Sequence, residues 1–169
     1  DKNKLLHYST RECLAHNTVY AINNYRLGNI YVATAGGLSS LSKDGKITSY
    51  NRSNGLRNDR CEGILRDEKG FLWIGNLNCI IRYDPVNKTF AVFEEGLGFS
   101  HAGFRMRSSH KSKTGEMFWG SDKGLTYFFP DQLNYTTVPL RPAVNTLLAG
   151  DNIFHFTGED AIKFPYNTT

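Results

Sequence analysis

One phrase recurs along this chain at a nearly constant step, and it limits the fold more than any other feature. It reads Gly28-Asn-Ile-Tyr-Val-Ala-Thr-Ala-Gly-Gly-Leu, then Gly70-Phe-Leu-Trp-Ile-Gly, then Gly115-Glu-Met-Phe-Trp-Gly-Ser-Asp-Lys-Gly-Leu, with the leading glycines 42 and 45 residues apart. Other landmarks keep time with it. Tyr8 and Tyr50 are separated by 42 residues and Phe93 follows 43 later, Ile22 and Ile64 are 42 apart, and Gly55-Leu56 returns as Gly96-Leu97 after 41. Helical and leucine-rich repeats need other periods and, for helices, an apolar rhythm of 3.6 that this chain lacks.

Within one period the pattern predicts four short strands: Glu62 to Asp67, Phe71 to Gly75, Ile80 to Asp84 and Thr89 to Phe93. Turn residues separate them, at Glu68-Lys69-Gly70, Asn76-Leu77-Asn78 and Pro85-Val86-Asn87-Lys88. Four antiparallel strands in 40 to 45 residues make one blade of a β-propeller. The 13% aromatic content and 16 glycines suit short strands and tight turns. The expected fold is therefore all-β, a partial β-propeller of about two and a half four-stranded blades over residues 1–134, with blades at 19–51, 61–93 and 104–130. Residues 1–10 are expected to hold the outer strand of a preceding blade, near Leu5 to Tyr8. After Leu133 the rhythm changes to a Pro- and Thr-rich connector, strand-like Val144 to Leu148 and Ile153 to Phe156, and Ile162 to Phe164. Residues 135–169 thus read as a connector and the truncated start of a different β domain.

Asp67, Gly70, Leu72-Trp73-Ile74-Gly75, Tyr83-Asp84-Pro85 and Phe93 in the second period resemble the two-component regulator propeller repeat. The first period keeps Thr34 and Gly37-Leu38 but has Tyr31 for the tryptophan and Asn24 for the aspartate, and the third keeps Trp119-Gly120, Gly124-Leu125 and Pro130. The tail ending Ile162-Lys-Phe-Pro-Tyr-Asn-Thr resembles the start of the triple-tyrosine immunoglobulin-like β-sandwich domain that follows the last blade in such proteins. The resemblance implies a fragment of the periplasmic sensing region of a hybrid two-component sensor histidine kinase, with a membrane-anchored parent. It further implies an oligosaccharide ligand and a kinase outside this sequence. Two other readings use the same repeat: a propeller lyase of the streptogramin-inactivating type, and a protein-docking scaffold. The lyases end with the propeller, whereas here a new β domain begins after Leu133; the Gly-His and Trp-Asp dipeptides of WD repeats are absent.

Blades are packed on both faces, so Leu72 and Ile74 on one side of a strand and Trp73 on the other are all expected in the core. Gly28, Gly70, Trp73, Gly75, Gly115, Trp119 and Gly120 are structural anchors of the repeat. A ligand would meet the loops that converge on one rim. The connections from an outer strand to the next inner strand supply Arg57, Asn58, Asp59 and Arg60, then Phe99, Ser100 and His101. The second-to-third strand turns on that rim supply Asn76, Asn78, Asp122 and Lys123. Amides, guanidinium groups and an aromatic face are what a sugar requires. The ligand-binding candidates are accordingly Arg57, Asn58, Arg60, Asn76, Asn78, His101, Asp122 and Lys123, with Arg105 and Arg107 as a further cationic pair.

The net charge of +4 comes from scattered Lys and Arg with no run or stripe, which argues against nucleic acid. Cys13, Cys61 and Cys79 fit neither a disulfide framework nor a zinc site. His101 and His110 lack a carboxylate at metal-ligand spacing, and no nucleophile elbow, phosphate loop or His-Glu-x-x-His is present. No catalytic residue, cofactor or metal is expected in this segment. An open stack of blades leaves two apolar end faces wet, so self-association through them, or dimerisation of the parent, is expected.

Overall fold

The computed structural model describes residues 5–93, 103–133, 146–149 and 152–155. The chain separates into two compact units, residues 1–135 and 136–169. In the first unit, β1 (Val19–Asn24), β2 (Ile30–Thr34), β3 (Gly37–Leu41) and β4 (Ile47–Tyr50) form one antiparallel sheet in sequence order. A second sheet repeats this with β5 (Cys61–Arg66), β6 (Leu72–Asn76), β7 (Ile80–Asp84) and β8 (Thr89–Phe93). The third has three strands among the described residues, β9 (Phe104–Lys111), β10 (Met117–Ser121) and β11 (Gly124–Phe128). The inner strands β1, β5 and β9 all contact one another, as strands around a common axis do. In the second unit, β12 (Thr146–Ala149) and β13 (Asn152–His155) form a hairpin. The expected strand Ile162 to Phe164 lies outside the described residues.

The sheets stack face to face because the middle blade carries apolar side chains on both of its faces. Tyr31, Ala33 and Leu38 of the first blade meet Ile64, Leu72, Ile74, Ile81 and Tyr83 of the second in one core. A second core joins Trp73, Ile80, Ala91 and Phe93 to Phe104, Met117, Trp119 and Phe128 of the third blade. Leu72, Trp73 and Ile74 are all fully buried, although successive side chains of β6 point to opposite cores. Each such side chain contributes about 1.5–3 kcal/mol relative to exposure, which makes the middle blade the best-anchored part of the unit.

Hydrogen bonds explain the spacing of the repeated phrase. Asp67 Oδ1 accepts from Phe71 N at 2.8 Å and Oδ2 from Trp73 Nε1 at 2.8 Å, while Gly70 N donates to Asp67 O at 3.2 Å. One buried carboxylate thereby closes the β5–β6 turn and satisfies the indole, and Gly70, at φ 95°, supplies the left-handed residue that the turn needs. The register shows that the residue in the place of Asp67 is Tyr25 in the first blade, where its N–H donates to Asn29 O at 2.7 Å, and not Asn24 as expected from sequence. In the third blade the place belongs to Ser112.

Two further expectations are corrected. Leu5 to Tyr8 is not a strand in this structure, since among the described residues no strand of a preceding blade lies beside it, and a 3-10 turn at Thr10–Glu12 follows. Trp119 does not repeat Trp73. Aligning Gly120 with Gly75 puts Phe118 in the Trp73 position and Trp119 in that of Ile74, so Trp119 points back at the second blade. A Cβ on Gly75 would lie 2.7 Å from Trp119 Cζ3, and one on Gly63 3.2 Å from it, so the two glycines form a socket for the indole. The third blade also carries a longer bulge, which supplies two of the three residues by which the last step exceeds 42. Cys61 and Ile64 pair with Asn76 and Ile74 three residues apart, whereas Phe104 and Ser109 pair with Ser121 and Trp119 five apart. Arg107 takes a positive φ of 63° in the extra length.

Candidate ligand-binding rim

The connections from outer to inner strands are built twice to one plan. Ser9 caps the 3-10 turn Thr10–Glu12, and 42 residues later Asn51 caps Arg52–Asn54, each through a capping box. Thr10 N donates to Asn17 Oδ1 at 2.8 Å, as Arg52 N donates to Asp59 Oδ1 at 2.7 Å. Thr18 N donates to His16 Nδ1 at 2.9 Å, as Arg60 N donates to Asn58 Oδ1 at 3.1 Å. The rim is thus a pair of internally bonded loops held on rigid strand ends, and the buried Leu14 and Leu56 occupy matching places in the two plans.

Of the sugar-binding candidates, Asn76 turns out to be part of the scaffold. It is fully buried at the end of β6, donates from Nδ2 to Asn58 O at 2.8 Å and accepts Leu77 N on Oδ1 at 3.0 Å. With both polar ends bonded to backbone and no exposed surface, it faces no ligand directly. Asn58 is half-buried and its Oδ1 is engaged in its own turn. Arg57, Asn78, Asp122 and Lys123 are exposed on the same rim. Asp122 faces Arg105, with 3.3 Å between Oδ2 and the guanidinium, and Leu77 O and Asp122 Oδ2 both come 3.6 Å from the Cβ position of Gly103. The structure therefore brings the second and third blades' turns together at Gly103. His101, Phe99 and Ser100 lie outside the described residues. Arg105 and Arg107 are exposed on the long bulge, and Arg105 is already paired.

The inner-strand bulges carry the group that sequence reasoning missed. Tyr20 in the first blade and Glu62 in the second occupy the same unpaired bulge position. Glu62 is 3% exposed, and its Oε2 has no hydrogen-bond partner among the described residues. Arg60 Nε approaches Oε1 at 2.5 Å without the alignment of a hydrogen bond, and the Arg60 guanidinium sits 5.4 Å from the centre of the Tyr20 ring. Arg60 is 41% exposed, so it leads from the buried carboxylate out to solvent. The sequence signal that would have found this group is a charged residue inside a strand whose neighbours Cys61, Gly63 and Ile64 are all core.

Away from the rim, the blade interface holds a tyrosine cluster. Tyr83 Oη donates to Tyr50 Oη at 2.9 Å, and Tyr31 packs edge-on against Tyr83 with centroids 5.9 Å apart. Burial, with smaller contributions from Tyr50 and Tyr25, pushes the Tyr31 phenol up to about 12. Burial also pushes the Cys61 thiol up to about 12. Neither group is set for chemistry near neutrality.

No family model matches this sequence, and no curated protein is similar to it. Solved structures are similar to it. The extracellular domain of the hybrid two-component system BT3049 from B. thetaiotaomicron superposes with a TM-score of 0.57 at 19% identity over 75% of this chain. The extracellular domain of BT4673 from the same organism gives TM-scores of 0.62 at 24% identity over 79% of this chain and, in a second structure, 0.57 at 22% over 68%. This chain spans 24% of the BT3049 structure and 16–18% of the BT4673 structures. The chain thus has the blade fold found in the extracellular domains of two-component systems.

Proposed function

We propose that this chain belongs to the ligand-sensing region of a two-component sensor histidine kinase, where its blades present a rim to an oligosaccharide and pass the response toward a kinase. The observation that carries the reading is the stack of repeated blades with a bonded loop rim, an architecture shared with the extracellular domains of BT3049 and BT4673. Rigid sheets that hold polar loops at one edge are suited to recognition, and nothing in the described rim supplies a nucleophile activated by a base. In this reading the parent is membrane-anchored and the chain lies outside the cytoplasm; no helix among the described residues is long and apolar enough to cross a membrane. The test is a glycan array carrying neutral, amino and uronic-acid sugars, probed with the labelled 169-residue chain. Saturable binding to a set of related glycans supports the reading, and a blank array refutes its carbohydrate part.

A further inference from the structure

We infer that Glu62, Arg60 and Tyr20 form a subsite at the inner-strand bulges for the hydroxyl groups of a neutral sugar. The inference rests on the sensing function proposed above and names the place and class of ligand.

A carboxylate that is 3% exposed has lost most of its hydration, and an oxygen on it without a hydrogen bond is among the most unfavourable buried groups a fold can keep. Arg60 relieves only part of this cost: its Nε lies 2.5 Å from Oε1 as an ion pair but is misaligned for a hydrogen bond, and Oε2 is left without a donor. Glu62 Oε2 is therefore an acceptor waiting for a donor, at a bulge where the ladder between β5 and β6 is already interrupted. Bulges of this kind re-aim a side chain next to functional sites.

The neighbours define the donor. A metal cation is disfavoured by the guanidinium that lies against the carboxylate. An acidic sugar is disfavoured at Oε2 itself, because a second carboxylate would have to share a desolvated position with the first. A neutral hydroxyl can donate to Oε2, and its own oxygen can accept from the outward N–H groups of Arg60. Tyr20, half-buried and 5.4 Å from the guanidinium, adds an aromatic wall and a phenol on the neighbouring inner strand. An acceptor at the base, a forked donor and a ring beside them are the three elements of a sugar subsite.

The test uses the 169-residue chain and the strongest neutral glycan from the array, titrated by calorimetry. Glu62→Gln replaces one oxygen with an amide donor and keeps the shape; it should weaken binding about tenfold or more, as expected for losing a charged acceptor. Tyr20→Ala should weaken it as well, Tyr20→Phe should keep the wall and most of the affinity, and uronic-acid glycans should bind less tightly than their neutral counterparts. Should Glu62→Gln fail to fold, Tyr20→Ala carries the test alone. Neutral glycan binding that is unchanged in both Glu62→Gln and Tyr20→Ala overturns the subsite and leaves carbohydrate sensing standing. A crystal of the sugar complex with only an ordered water on Oε2 overturns the subsite too, and a blank array overturns both.

Discussion

Gly75→Ala is the sharpest perturbation of the interface between the second and third blades. A methyl group there would sit 2.7 Å from Trp119 Cζ3 and 2.9 Å from Cε3, while its third neighbour, Phe104 Cβ, is at an ordinary 3.6 Å. Trp119 is 2% exposed and part of the packed core, with the Phe104 ring edge-on at 6.1 Å, so the indole has no open space to swing into. Overpacking of this kind costs about 1–3 kcal/mol. The loss of glycine's freedom in the unfolded chain offsets about 0.4–1 kcal/mol of that. The net expectation is a destabilisation of about 1–2 kcal/mol, read as a fall in Tm of about 2–8 °C. Differential scanning calorimetry measures it, with tryptophan fluorescence following Trp73 and Trp119. In a Trp119→Leu background the clashing ring atoms are gone and Gly75→Ala should cost less than about 0.5 kcal/mol, giving a clear coupling in the double-mutant cycle. A neutral single mutant, or equal costs in the two backgrounds, would refute the socket.

Three further outcomes follow from the same geometry. Cys13 is exposed whereas Cys61 and Cys79 are buried, so a thiol reagent at pH 8 should modify Cys13 alone in the native chain and all three after denaturation. The Tyr31 phenol has a folded-state value raised to about 12, so the native state holds its proton more tightly than the unfolded one. That contribution to stability is complete below about pH 10 and is lost as pH rises toward 12, which alkaline unfolding followed by tyrosinate absorbance should show; Tyr31→Phe should blunt the loss. At the open end of the third blade, Leu125 is 65% exposed and Tyr127 63%, on the face that in the second blade is covered by its neighbour. Analytical ultracentrifugation should therefore find concentration-dependent association of the chain, and Leu125→Lys with Tyr127→Lys should reduce it; unchanged association in the double variant would place the contact elsewhere.

The repeat was legible because its physical requirements are local. Gly70 and Gly115 lead turns at φ 95° and 96° that favour glycine, and β7 and β8 begin and end where the turn residues put them, at Ile80–Asp84 and Thr89–Phe93. The misassignments arose where identity of letter competed with register. Trp119 matched Trp73 by residue type, but Gly120 fixes the alignment and makes Phe118 the equivalent. Asn76 looked like a loop amide at a strand end; its burial and its bond to Asn58 O depend on a contact 18 residues away that no local pattern encodes. The same holds for Glu62, whose isolation is created by the bulge opposite Gly75 and by the blade on either side. Local chemistry thus reveals turns and strand faces, whereas the rim's working groups depend on how blades meet.

Hydrogen exchange across the chain, read by mass spectrometry, tests most directly that these sheets are stacked blades. Among the described residues the second blade alone has another sheet packed on each face, so β6 and β7 should exchange slowest, with β1 and β11 in the flanking blades exchanging markedly faster. Equal protection in all three sheets, or slowest exchange in β1 or β11, would contradict the stacking on which the rim and its ligand depend.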